Sequence, residues 1–326
     1  MGTPDESTPR RTLLSSVTRS LTALVRGSED DLERVLAEGG LDDAVEVAQP
    51  RPPGSAHAHP KRPRPSHAPE VTPLPFDWVT IPAGFFRMGS DPAFDLDALD
   101  SEQPQHRVLA SQFRISRVPV TVAQFAVFAR AAGYRTAADE AGWAWVWTGA
   151  DWMSVRGASW QHPTGPERAA ADLSHWPVTQ VSWHDAQAFC RWAGVGLPAE
   201  IEWEKAARGV DARLYPWGNR PPDAALCHCD DPEGEMDAVG QRRSGASAYG
   251  VLDVCGNSWE WCLTKWRPNY TTPPDDDAAG PEPRVVRGGS YIGDAGFVRC
   301  ATRGRLNPHY RDCSVGFRVV ARDHFG

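Results

Sequence analysis

The side chains best suited to chemistry lie near the C-terminal end. Within Arg284–Arg322 stand Cys300 and Cys313, two of the seven cysteines, together with eight arginines against two aspartates. A thiolate serves as a nucleophile or as a ligand for a soft metal ion, and a guanidinium pairs with carboxylates and other oxyanions. Exposed, these arginines would favour an anionic partner; folded inward, Arg287, Arg299 and Arg303 would hold the loop by hydrogen bonds. Cys190 and Cys262 sit inside apolar-aromatic runs and read as buried small hydrophobes. The pair in Cys227-His228-Cys229 is too closely spaced for a CxxC zinc knuckle and has no second half, which leaves free thiols or an unusual short-range disulfide. An odd number of cysteines suits a reducing compartment, where most remain free.

These groups need a frame. Val285-Val286 and Phe317-Val319-Val320 are short β-type runs, and the residues between them carry glycine and proline without a helical period. The expectation is two strands presenting a long irregular loop, the usual layout for functional side chains. Upstream, Thr12–Ala37 has apolar residues at helical spacing, predicting a short helical segment within residues 1–48, and the proline-rich residues 49–75 form a linker. The main domain then runs over residues 76–326. Asp77–Pro82 and Phe85–Gly89 predict a hairpin, and Arg107–Pro119 a strand. Helices are predicted at Val122–Ala132 after the cap Thr121, at Trp183–Trp192 after Ser182 and ending at Gly194, and from Pro198-Ala199-Glu200 to Gly209. Gly133–Trp176 lacks periodicity and should pack through its tryptophans.

The 326 residues suffice for one large domain with an appendage, and a net charge of −8 offers no general attraction for nucleic acid or membranes. No apolar run approaches the ~20 residues of a membrane helix. The N-terminus has no continuous apolar core or small-residue cleavage site, so a cytoplasmic location is expected. Fourteen tryptophans beside 29 glycines and 29 prolines suggest a loop-rich domain held by aromatic packing.

An ordered set of phrases then resembles one family. They are IPAGFFRMGS (Ile81–Ser90), GASWQHPTGP (Gly157–Pro166), PVTQVSWHDAQAFCRWAG (Pro177–Gly194), LPAEIEWEKAARG (Leu197–Gly209), YPWGN (Tyr215–Asn219), YGVLDVCGNSWEW (Tyr249–Trp261), RVVRGGS (Arg284–Ser290) and VGFRVV (Val315–Val320). Together they are similar to the formylglycine-generating enzyme, or sulfatase-modifying factor, domain. The resemblance implies a compact α+β, C-type lectin-like fold with low regular secondary-structure content, often with structural calcium. It places calcium at Asp253, Gly256, Ser258 and Glu260, oxygen donors of the kind a hard cation takes; alternatively Glu260 pairs with an arginine and Asn257 fixes a turn. In the family's oxidases two cysteines bind copper, and O2 converts a substrate cysteine to formylglycine.

Cys300, in Arg299-Cys300-Ala301-Thr302-Arg303, matches the second of those cysteines, whereas the first position falls on Ala295. A single thiolate does not make a two-coordinate copper site. The oxidase chemistry is therefore expected to be lost unless folding brings Cys313 or Cys255 to Cys300. A different use of the loop is suggested by composition: Tyr291–Val315 contains no Lys, Glu, Gln, Met or Trp, and all its residues are encodable by pyrimidine-ending codons. This is the pattern of variable proteins of diversity-generating retroelements, some of which resemble this domain. The ligand-binding residues would then be Tyr291, Ile292, Asp294, Phe297, Thr302, Leu306, His309, Tyr310 and Asp312, facing a protein or peptide ligand. The expected function is that of a non-oxidase ligand-binding protein, the alternative being a copper-dependent formylglycine-generating oxidase with Cys300 catalytic.

Overall fold

The computed structural model describes residues 75–166, 173–232 and 234–322. The expected N-terminal helical segment and, but for Pro75, the linker lie outside the described residues. The fold is α+β, with short elements joined by long ordered loops. The strands are β1 (Trp78–Ile81), β2 (Gly84–Met88), β3 (His106–Ala110), β4 (Phe113–Ser116), β5 (Trp143–Trp147), β6 (Trp152–Arg156), β7 (Trp259–Lys265), β8 (Arg284–Arg287), β9 (Arg303–Leu306), β10 (Val315–Gly316) and β11 (Val320–Ala321). The helices are α1 (Val122–Ala132), α2 (Ala137–Ala141), α3 (Trp183–Ala193) and α4 (Glu200–Arg208).

The helices begin and end where local chemistry dictates. Thr121 accepts the backbone N–H of Gln124, and Gln124 reaches back to the Thr121 backbone, closing a reciprocal cap; Ser182 and Asp185 do the same for α3. Gly133 and Gly194 stop these helices in the left-handed conformation that glycine adopts without strain. The faces α1 and α3 turn inward meet through aromatics: Phe125 stacks on Phe189 at 5.8 Å, and Phe317 from the C-terminal run meets Phe189 edge-on at 5.4 Å.

The strands are arranged differently from the expected pattern. The β1 and β2 strands are adjacent in sequence, yet they do not form a hairpin. Instead β1 pairs antiparallel with β4, and β4 with β11, while β2 pairs with β3. The single strand expected over Arg107–Pro119 is broken into β3 and β4, one in each sheet. The β1–β4 partners lie more than thirty residues apart, the β2–β3 partners about twenty, and β4–β11 joins the two ends of the domain, so long-range burial outweighs turn proximity. The tryptophan-rich stretch contains α2 and the β5–β6 hairpin, whose period-two run WAWVW is its signal. The C-terminal loop is not irregular throughout: β9 emerges from it and pairs with β8 in the sheet β10-β7-β8-β9.

Candidate functional site

The C-terminal loop turns its arginines inward. Arg287, Arg303 and Arg318 are fully buried, and Arg299 is 1% exposed. Arg287 pairs with Glu200 and Glu204 from α4 and donates to the carbonyls of Cys300 (2.8 Å) and Ala301 (3.0 Å). Arg303 reaches Glu200, and Arg299 reaches Asp95 (2.6 Å) and Glu102 (2.7 Å). These guanidiniums, paired with carboxylates more than eighty residues away, clamp the loop to α4 and to the segment after β2. They are not a surface for an anionic partner.

The nine expected ligand-binding residues separate by burial. Tyr291, Ile292, Thr302, Leu306 and Asp312 are buried, so they do not form an exposed paratope. Leu306 belongs to the main aromatic core, and Asp312 accepts both the N–H and the hydroxyl of Ser314. Asp294 and His309 are exposed, while Phe297 and Tyr310 are half-buried. Asp294 caps a one-turn helix through the N–H of Gly296, and His309 sits 4.5 Å, ring to ring, from His184. An alternating strand would have shown which side chains face inward; a loop carries no such period, so composition alone misassigned them.

One of these residues, Tyr291, nevertheless lines a cavity of about 420 Å3 between the β5–β6 hairpin, the 163–164 turn and the segment around Pro232 and Glu235. Its apolar walls include Trp147, Trp176, Leu173 and Met236, with Thr148, Thr164 and Glu235 beside them and Tyr291 and Cys313 at the inner side. The backbone holds this wall by specific bonds. Trp147 donates its indole N–H to the Pro232 carbonyl (2.9 Å) and its backbone N–H to Cys313 Sγ (3.3 Å). The buried Gln180, at a left-handed φ of 59°, donates from Nε2 to the carbonyls of Trp145 (2.9 Å) and Pro163 (2.7 Å). It thereby ties the hairpin to the turn.

The titratable groups at the inner side are kept protonated. Burial, reinforced by Asp312, pushes the Cys313 thiol up to about 12, and burial with Cys313 as neighbour raises the Tyr291 phenol. The two lie 3.8 Å apart, Oη to Sγ. Both shifts disfavour the charged forms, the thiolate and the phenolate. Trp147, Met236 and Cys313 were missed in the sequence because they converge from three segments.

Cys300 lies elsewhere. It is fully buried in a second core with Cys227, Cys255 and Cys262, and its thiol is close enough to that of Cys255 to raise the latter's pKa. Folding thus does supply Cys300 with a neighbouring thiol, and two thiols suit a soft ion, but both are enclosed by apolar side chains and closed to a peptide. The oxygen donors expected for calcium are also committed. Glu260 accepts from Arg318 at both oxygens (2.7 and 2.6 Å) and from the Trp203 indole (2.7 Å), and Asp253 accepts the Gly240 N–H (2.6 Å). Glu260 pairs with an arginine, and its charge needs no cation, so the four donors do not fit calcium as a set. Asn257, at φ 62°, exchanges hydrogen bonds with the Asp237 backbone and fixes the turn. Among the described residues no three His, Cys, Asp or Glu side chains are grouped to hold a metal ion.

The model of the sulfatase-modifying factor enzyme 1-like domain matches residues 65–323. The chain belongs to this family. A formylglycine-generating enzyme of Thermomonospora curvata is 35% identical over 283 residues, covering 74% of this chain and 92% of that protein. The inactive C-alpha-formylglycine-generating enzyme 2 of Bos taurus is 34% identical over 275 residues, covering 74% and 87%. Among solved structures, PvdO from Pseudomonas aeruginosa superimposes with a TM-score of 0.59 at 25% identity, over 74% of this chain and 93% of that one. The family's α+β, C-type lectin-like architecture is the one described above.

Proposed function

We propose that this family member is a non-oxidase ligand-binding protein that receives a side chain of a protein or peptide partner in the cavity beside Trp147, Tyr291 and Cys313. The observation that carries the reading is the state of the thiols. The cavity holds one cysteine, hydrogen-bonded by the Trp147 N–H and beside the Tyr291 hydroxyl, while the Cys255 and Cys300 thiols are shut in an apolar core. Apolar walls with a few polar groups suit a side chain of mixed character. That a relative comparably similar in sequence bears the name of an inactive enzyme is consistent with a scaffold kept without the oxidation.

One observation favours a second reading, a copper-dependent formylglycine-generating oxidase: Cys255 and Cys300 are adjacent and together offer the two sulfurs that copper takes. Copper bound there would supply activation of O2, and Cys255 and Cys300 would hold it.

Two measurements test the proposal. The protein loaded with Cu(I) is given O2 and a peptide containing Cys-x-Pro-x-Arg; no O2 consumption is expected, and turnover abolished by Cys300→Ser would overturn the reading. Peptides are also selected by display against the wild type and then measured against Thr164→Trp, which fills the rim from an exposed position. Selected peptides should bind Thr164→Trp about tenfold more weakly or worse, a loss of about 1.4 kcal/mol. Equal binding to both would remove the cavity from the proposal.

A further inference from the structure

Outside the cavity, the least ordinary grouping is of sulfur. Cys227, Cys255 and Cys300 share one core cluster, and Cys229 packs against it. Cys227 Sγ lies 3.5 Å from Cys229 Sγ, and Cys255 and Cys300 are neighbours in the same core. Of these four, only Cys229 is partly exposed. We propose that Cys227 and Cys229 form an oxidation-sensitive dithiol, in which Cys229 is attacked first by a peroxide and Cys227 then closes a disulfide.

The geometry supports both halves. Cα atoms two residues apart are separated by no more than about 7.6 Å, close to the range a disulfide spans, and the side chains already face each other. The Cys227 hydrogen bond lowers the Cys229 thiol below its ordinary value, against burial and the nearby Asp230 and Asp294. It correspondingly raises Cys227, which burial raises further. Cys229 is thus the thiol that combines access with a lowered pKa. The other candidates lack one or both: Cys190, Cys262 and Cys313 are buried, and burial pushes their thiols up.

The chemistry balances with hydrogen peroxide as the named oxidant. The Cys229 thiolate attacks one peroxide oxygen, the O–O bond breaks, and hydroxide leaves as water after taking a proton, giving a sulfenic acid. Cys227 sulfur attacks the Cys229 sulfur, the S–O bond breaks, and the second oxygen leaves as water with the Cys227 proton. Two electrons pass from the two sulfurs to the peroxide. The pair also leads directly into the wall of the cavity: Asp231 donates its N–H to the Tyr291 carbonyl (2.9 Å), and Pro232 accepts the Trp147 indole. This inference does not depend on the proposed ligand binding.

The test uses the full reduced chain exposed to stoichiometric hydrogen peroxide, with peptide mass spectrometry of the products. The expected result is loss of two hydrogens from the peptide carrying Cys227 and Cys229, restored by dithiothreitol, about tenfold faster than oxidation of any other cysteine. In Cys227→Ser, the sulfenic acid should persist at Cys229 and be trapped by a cyclic 1,3-dione, which does not require that the disulfide form. Trapping is read on samples whose thermal midpoint matches the wild type. The proposal is overturned if Cys227 and Cys229 both remain alkylatable after peroxide, if Cys255, Cys300 or Cys313 is oxidised first, or if Cys227→Ser yields no adduct at Cys229.

Discussion

Replacing Arg318 by methionine separates a buried ion pair from a metal site. Arg318 and Glu260 are both fully buried and meet in a bidentate pair, Nε to Oε2 at 2.6 Å and Nη2 to Oε1 at 2.7 Å. Arg318 also donates to the carbonyls of Ser116 (3.1 Å) and Leu252 (2.9 Å), joining β4 to the turn before β7. Arg318→Met leaves Glu260 with the Trp203 indole as its remaining donor. Orphaning a buried charge in this way costs about 3–5 kcal/mol. For a domain of this size that is a fall in thermal midpoint of roughly 6–20 °C. The control is Asp211→Asn, which breaks the partly exposed pair with Arg213 and should cost no more than about 1 kcal/mol. Arg318→Met/Glu260→Met, which removes both charges, should recover much of the loss. The assays are urea unfolding for the free energies and thermal unfolding for the midpoints, both followed by tryptophan fluorescence and repeated with a calcium chelator. If Arg318 neutralises Glu260, chelation moves the wild-type midpoint by less than about 1 °C, because no bound cation is being removed. An Arg318→Met loss below about 1 kcal/mol, or a calcium-dependent midpoint, would refute the reasoning.

Two further perturbations follow from the same geometry. Gly256 has φ +83°, and a Cβ there would stand 2.3 Å from the His228 carbonyl oxygen; Gly256→Ala should therefore lose at least about 1–3 kcal/mol in the same unfolding assay, and a neutral result would contradict the close approach. Burial first, then His309, lowers the His184 pKa, so the unfolded chain takes up this proton more readily than the folded one. Stability from this group is present above pH about 6.5 and is lost as pH falls through that value. Burial raises Asp185, which acts in the opposite sense from about pH 4 upward, so the measurement is the difference between wild type and His184→Gln. A shallower slope between pH 7 and 5.5 is expected in the variant; identical slopes would exclude His184 as the source.

Much of the scaffold was legible before folding was considered. The caps Thr121 and Ser182, the stops Gly133 and Gly194 and the apolar spacing between them fix α1 and α3 within a few residues, because helix boundaries are set by groups three or four residues apart. The ordered motifs placed the chain in its family, and of the two readings left open for Arg287, Arg299 and Arg303 the inward one is the one the fold adopts. Strand partners were not legible. The hairpin expected from Asp77–Pro82 and Phe85–Gly89 dissolves into two sheets, since a strand offers hydrogen bonds to any suitable edge.

The cavity was legible least of all, because Trp147, Met236, Tyr291 and Cys313 are brought together from positions far apart in the chain. By itself, the sequence determined the local elements, the family and the inventory of thiols and charges. Only the tertiary structure decided which of those thiols and charges meet. It set Cys255 against Cys300 and Cys227 against Cys229, matched Arg287, Arg299 and Arg303 to distant carboxylates, and turned Tyr291 from the expected outer surface to the wall of a cavity. The physical reason is range: capping and periodicity act within a turn of chain, whereas burial and charge pairing depend on whatever the fold packs alongside.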